Sequence, residues 1–426
     1  MSMDKNQMEP RNVDANPDVS YDRAQPLPTE DFGRAVVVGS SIAGLTAAQI
    51  LTNYFARVTI IDRDQMPAEP DFRRGVPQAR HAHILLPRGQ KILERYFPGL
   101  VDELLAKGAV AVDASRDIAL FEDGDWRTSR AYGTRISINF SRPLLESVLY
   151  RRLAGHPRVE IMQGREAAGL QVDKQGQRVI GLEVRDRHNT TTGQGLLAAD
   201  LVLDASGRQS RAPQWLESLG YPPPEEWHIN AFVGYASRLY QIPPTFSNTW
   251  KTLLIRPTPP DGTRGGIVVA VEGGRWCVTL IGVAEDYPPT NADEFLAFAR
   301  SLPTSRLYEA IKDAPPLAEP AGYRLTDNRV RRYDRQSRYL EGFLVCGDAA
   351  FALNPVYAQG MTAAITGSQT LDHVLQAQHR RPDLTGLAGA FQKQLSKSVG
   401  HLWQAALKQE WHWDITEVTD NTDKEM

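Results

Sequence analysis

The 426-residue chain has little of what marks several protein classes. Its two cysteines, Cys277 and Cys346, are too few for a disulfide scaffold or a four-cysteine zinc module. Both lie in apolar runs and read as small core residues. No stretch approaches the roughly 20 consecutive apolar residues of a membrane span. The first 32 residues are polar and proline-dotted, with no apolar signal-peptide region, so a disordered lead-in is expected. An excess of one charge is lacking too. The 48 Lys and Arg against 51 Asp and Glu leave a net charge of −3, which argues against a basic nucleic-acid binder. A cytoplasmic protein is expected, with neither nucleic-acid nor membrane contact. The remaining composition, 42% hydrophobic and 23% charged, suits a large core and two or three domain-sized units.

Order begins at Gly33. The run Arg34-Ala-Val-Val-Val38 has the β-branched content of a buried parallel strand. Gly39-Ser-Ser-Ile-Ala-Gly44 follows, then a helix expected over 45–54 and a second buried strand over 57–61, closed by Asp62. The glycine loop approximates G-x-G-x-x-G, with Ser41 where the second glycine is usual. Gly39 provides the tight turn, and Gly44 lets helix and strand approach. The helix N-terminus then offers N–H groups and a positive dipole to a pyrophosphate. Asp62 stands 23 positions after Gly39, close to the spacing of an acid that hydrogen-bonds ribose hydroxyls.

The stretch 72–89 is a basic loop that includes Arg80, His81 and His83. These three are candidates for contact with a dinucleotide or an active-site cavity. No third ligand sits at metal spacing, so no metal is expected. A short helix is expected over 90–97, and a hairpin over 118–135 centred on Asp123-Gly124. A helix over 141–153 is capped by Ser141 and opens with Arg142. The segment 159–205 reads as a β-meander, with turns near Gly176 and 192–195, and it ends in Asp204-Ala-Ser-Gly207. Alternating segments over 230–283 read as an antiparallel sheet able to floor an apolar pocket. The segment 291–312 is helical, with a break at Pro303. A third buried strand runs into Gly347-Asp348. Asn354-Pro355 and Gln359-Gly-Met361 follow, and a helix opens from Thr362. The last helix covers 387–413, with core packing its expected role, and 416–426 is expected to be loose.

The glycine-loop βαβ unit, the strand ending in Asp204-Ala-Ser-Gly207 and the Gly347-Asp-Ala-Ala350 segment stand in an order that resembles the FAD-dependent monooxygenase superfamily. That superfamily includes para-hydroxybenzoate hydroxylase, squalene epoxidase and related hydroxylases and epoxidases of secondary metabolism. The resemblance implies an α/β fold. A Rossmann-like FAD-binding domain of the glutathione-reductase type would carry an inserted, mainly antiparallel substrate domain and C-terminal helices. The FAD-binding domain would comprise 33–115, 136–228 and 325–378, and the substrate domain 116–135 and 229–324. A helical region over 379–415 and a tail would complete the chain. Gly39, Ser41, Ile42, Ala43 and Gly44 would hold the pyrophosphate, and Asp62 with Arg63 the AMP ribose. Arg142 would approach the ribityl or isoalloxazine region, and Asp204 the pyrophosphate. Gly347 and Asp348 would meet the ribityl chain. Pro355, Gly360 and Met361 would lie along the flavin edge. Ala358 departs from the family by replacing a common glycine before Gln359-Gly360.

The implied reaction transfers one oxygen atom of O2, from a flavin C4a-hydroperoxide, to a hydrophobic alkene or aromatic metabolite. No catalytic side chain is legible beyond the pocket candidates Arg80, His81 and His83, which tilts the reading toward epoxidation over hydroxylation. Electrons would come from NADPH or NADH, directly or through a partner flavin reductase, to a monomer or homodimer. Three alternatives remain: a C=C reductase of the geranylgeranyl reductase type, a flavin halogenase, and a non-catalytic flavoprotein. Trp411-His-Trp-Asp-Ile415 matches the halogenase letters Trp-x-Trp-x-Ile, but near the C-terminus, where helix packing is the expected role.

Overall fold

The computed structural model describes residues 32–127, 136–187, 195–379, 381 and 383–420. Residues 1–31 of the expected N-terminal lead-in, residues 192–194 of the expected turn near 192–195, residues 128–135 of the expected hairpin and residues 421–426 lie outside the described residues, while the hairpin around Asp123-Gly124 forms between Ile118–Glu122 and Asp125–Arg127. Among the described residues, no helix is long and apolar enough to cross a membrane.

A five-stranded parallel sheet forms the centre, in the order Phe343–Val345, Leu201–Asp204, Phe32–Val38, Phe55–Asp62, Val159–Gln163. Its middle strands are buried on both faces, covered by helices and by a small antiparallel sheet that packs into the same core. The helix Ile42–Leu51 follows the first strand and is buried along almost its whole length. Gly44 makes that possible. A Cβ there would lie 1.8 Å from the Gly39 carbonyl oxygen, so no larger residue fits the strand-to-helix turn. The helices Gly360–Gln378 and Leu387–Glu410 complete this layer. One expectation is corrected. Val159–Gln163 is not part of a meander but the outer parallel strand beside Phe55–Asp62. The antiparallel strands Arg165–Val172, Val179–Asp186 and Gly195–Ala198 form a separate small sheet.

A seven-stranded sheet lies alongside, drawing its strands from 118–127 and 234–323. It is antiparallel except where Thr252–Ile255 runs parallel to Ile118–Glu122. One face packs against the helices Ala292–Arg300 and Arg306–Ile311, with Trp276, Phe295 and Leu307 fully enclosed. The break between these helices falls around Pro303, as expected. The other face is free to line a cavity.

A four-stranded sheet in the order Phe351–Ala352, Asn328–Arg331, Glu226–Asn230, Glu417–Asp420 joins the two units. It corrects the expectation of a loose tail. Glu417–Asp420 pairs antiparallel with Glu226–Asn230, because backbone pairing along a free strand edge does not need apolar side chains.

His228 lies on this sheet between two carboxylates, 2.7 Å from Glu226 and 3.2 Å from Asp327. The bonds to Asp327 and Glu226 lift its imidazole to about 9. The folded protein therefore keeps a proton that the unfolded chain releases near 6.5. The stabilisation is complete below that pH and is lost as pH rises through about 9. The difference in unfolding free energy between the native protein and His228→Gln should shrink across this window in urea titrations. A difference independent of pH would contradict the pairing.

Candidate active site

The glycine loop ends in a buried charge cluster. The Ser40 backbone N–H and hydroxyl both donate to Asp62, at 2.7 and 2.6 Å, and the Asp64 N–H donates to its other oxygen at 2.8 Å. Arg73 reaches in from the basic loop, 3.1 Å from Asp62 and 3.1 Å from Glu146, and donates to the Ser40 carbonyl at 2.9 Å. Glu146 also accepts from the Ser41 hydroxyl at 2.5 Å and from Arg142 at 2.9 Å. Burial alone would raise both carboxyls. For Asp62 the Arg73 charge and the donated bonds reverse this, and for Glu146 the Arg142 and Arg73 charges do so, leaving both below their ordinary range. The two carboxylates and two guanidiniums cancel in charge.

His83 extends the cluster and its protonation follows from its partners. Arg142 can only donate, so the Nε2 atom 3.2 Å away accepts, and Nδ1–H donates to the His81 carbonyl at 2.9 Å. Burial and then the Arg142 charge push this imidazole down to about 3. His83 is therefore a neutral structural link.

A cavity of about 1060 Å³ runs from this cluster to the free face of the seven-stranded sheet. At the near end it receives the N-terminus of helix Ile42–Leu51, with Gly39, Ser41, Ile42, Ala43, Asp62, Arg63 and Arg142 in its wall. In the middle it receives Asp348 and the N-terminus of helix Gly360–Gln378, with Pro355, Gly360 and Met361. A Cβ on Gly360 would meet nothing within 4 Å, so its backbone faces open space. Among the described residues the Asp348 carboxylate has no protein partner. Ala358, before this helix, adopts φ +53°, the left-handed region where glycine is preferred. The departure noted in the sequence thus keeps a glycine's conformation without the glycine.

The far end is apolar, with Leu120, Leu254, Ile267 and Ile281 among its lining residues. One polar chain enters it. His81 Nδ1 lies 2.7 Å from the Ser237 hydroxyl, which lies 2.6 Å from that of Thr279, which accepts the Ala82 N–H at 2.9 Å. Burial and then Arg80 hold His81 down to about 4, so it is neutral.

Residues 34–383 match the FAD binding domain family. The chain belongs to that family. Protein Rv3254 of Mycobacterium tuberculosis (strain ATCC 25618 / H37Rv) is 32% identical over 375 residues, spanning 87% of this chain and 78% of its own. Among solved structures, p-nitrophenol 4-monooxygenase PnpA from Pseudomonas putida DLL-E4 aligns with TM-score 0.64 at 19% identity, over 90% of this chain and 89% of its own. PqsL from Pseudomonas aeruginosa, in complex with 2-aminobenzoylacetate, aligns with TM-score 0.62 at 16% identity, over 89% and 94%. The flavin-dependent brominase Bmp2 aligns with TM-score 0.59 at 14% identity, over 88% and 84%. At these identities the likeness establishes the fold.

The residues of this FAD-binding protein fit the cofactor. Two helix N-termini open into one elongated cavity, where their unpaired first-turn N–H groups suit a pyrophosphate and an anionic flavin edge. Asp348 is free to accept from ribityl hydroxyls. Four expected contacts differ. Asp204 is fully buried and does not line the cavity; its carboxylate accepts from the Ser206 N–H and the Ser210 hydroxyl, and so shapes the turn. Gly347 and Gly44 act by packing, since a Cβ on Gly347 would lie 2.7 Å from the Ala43 methyl. Arg80 points away from the cavity and covers the Phe72 ring at 4.7 Å, while His81, one residue later, points in. Ser40, Arg73 and Glu146 were not anticipated. The signal for Glu146 was present: it is a carboxylate four residues after Arg142, on a helix whose neighbouring positions are apolar.

Glu146→Ala would leave the Arg142 guanidinium without its carboxylate and Arg73 with Asp62 and Asp64 alone. Breaking such a pair costs about 3–5 kcal/mol. Urea unfolding should show a loss of that order, and FAD titration a weaker affinity. Unchanged stability with native affinity would contradict the cluster's role.

Proposed function

We propose that this protein is an FAD-dependent monooxygenase that places one oxygen atom of O2 on a hydrophobic alkene or aromatic metabolite. The supporting observation is a single cavity with two chemically distinct ends. One end presents N–H groups and carboxylates suited to a dinucleotide, and the other is a mainly apolar chamber into which the anchored His81 imidazole points. Bound FAD, reduced by NADPH or NADH directly or through a partner reductase, supplies the oxygen-activating chemistry.

The chain's own share is positioning and exclusion of water. The Gly360 and Met361 N–H groups would face the flavin edge that gains negative charge, and Asp348 would fix the ribityl chain. The apolar floor keeps the reacting volume dry. His81 gives an acceptor a single polar reference point. When its Nδ1–H donates to Ser237, its Nε2 can accept a hydrogen bond from a phenol hydroxyl and orient the ring. An alkene makes no use of that group.

Purified protein should be yellow with bound FAD. With a reductant and an apolar acceptor it should consume O2 and place one oxygen-18 atom from labelled O2 in the product. Reduction of an acceptor without oxygen uptake would point to a C=C reductase, and colourless protein that takes up no flavin would overturn the reading. His81→Phe should weaken binding of phenolic acceptors by about tenfold and leave alkenes unaffected. Equal effects on both would remove His81 from contact with the phenol hydroxyl.

A further inference from the structure

The segment Trp411-His-Trp-Asp-Ile415 was given no role in holding the cofactor, yet the structure brings it to the cavity. The last helix ends at Glu410, and the chain turns sharply. The Trp413 N–H and the Thr416 hydroxyl both donate to the Glu410 carbonyl, at 3.0 and 2.5 Å. The turn buries Trp413 among Val233, Tyr235, Ile281, Val283 and Tyr323, with Val356 against the group. All of these line the cavity, as do Trp413 and its neighbours Gln409 and His412. Trp411, two residues earlier, is 36% exposed. One of the two tryptophans is therefore a wall and the other a surface residue.

The wall is fastened from behind. Glu410 is fully buried, and one of its oxygens accepts from the Asn328 amide at 2.5 Å and the Asn354 amide at 2.8 Å. Asn354 in turn accepts from the Tyr235 hydroxyl at 2.8 Å and the Val356 N–H at 3.1 Å. Its own N–H donates to Asn328 at 2.7 Å. The end of the last helix, the seven-stranded sheet and the loop leading to Gly360 are thus joined in one buried network. Burial raises the Glu410 carboxyl to about 7, in line with a group enclosed among amides and not paired with a cation.

We infer that the Glu410–Trp413 turn is a specificity-determining wall of the acceptor chamber, limiting how far an apolar molecule extends, with Glu410 as the positioning residue that holds it. This rests on the proposed function in assigning the chamber to the acceptor. Binding is measured in place of turnover, so a failure of oxygen transfer leaves the test intact.

The probes are 4-n-alkylphenols from methyl to octyl, titrated calorimetrically into the FAD-loaded protein. Trp413→Ala should raise the octyl-to-methyl affinity ratio by about tenfold or more over native, with FAD content unchanged. If that variant does not fold, Trp413→Leu carries the same expectation with a smaller shift. Glu410→Ala should shift the ratio in the same direction. Glu410→Gln, which keeps an acceptor oxygen for both asparagines, should restore the native ratio. A uniform change along the series, or none, in the tryptophan variants overturns the wall. A native ratio in Glu410→Ala overturns the positioning role. Failure of every alkylphenol to bind the native protein overturns the assignment of the chamber itself, and the proposed function with it.

Discussion

The structure depends on the placement of Arg73 between Asp62 and Glu146. This guanidinium, with its side chain only 7% exposed, ties the glycine loop, the end of the second strand and the helix Arg142–Ala154 to one point. It also anchors the basic loop, and that anchoring delivers His81 and His83 to the cavity. Buried ion clusters contribute little net stability, because desolvation offsets most of the attraction. Their effect is geometric: any rearrangement leaves a charge unpaired, so the loop has a single low-energy position. A phosphate-binding turn built this way is preorganised before its ligand arrives.

That fixed point also separates the chemistry of the two chamber ends. Near the glycine loop carboxylates and guanidiniums pair with one another, whereas the free face of the seven-stranded sheet is lined mainly by apolar side chains, with Glu122 and Arg256 ion-paired at 2.6 Å where it meets the cavity. His81 and His83 are uncharged for the same reason: burial and a neighbouring arginine disfavour the imidazolium. An apolar molecule along the sheet would therefore meet mainly apolar side chains, while the helix N-termini at the other end offer oriented N–H dipoles.

The parts legible in the sequence were those whose determinants are contiguous. The βαβ unit and the Gly347-Asp348 segment carry strand, turn and helix signals within a few tens of residues, and both fold as read. The charge cluster and the Glu410 network were not legible, because their partners are far apart in sequence. Arg73 and Glu146 are separated by 73 residues, and Asn328 and Glu410 by 82. Other misreadings came from phase. Arg80 and His81 are adjacent on one short turn, and a single step of rotation decides which of them enters the cavity. Val159–Gln163 has the composition of its antiparallel neighbours, and only its pairing partner reveals it as parallel. Asp204 ends a strand beside the site as expected, but two serines capture its carboxylate first.

The pairing of Ile118–Glu122 with Thr252–Ile255 joins segments separated by more than a hundred positions within one sheet. The chain supplies this outer ribbon before it has made the helix that opens with Arg142, and the rest of the sheet only afterwards. The second unit is therefore not an excisable module. A fragment cut at 229–324 would bare the backbone donors and acceptors of Thr252–Ile255, an invitation to self-association. Any relative that exchanged this region for another acceptor chamber would have to exchange the distant ribbon with it.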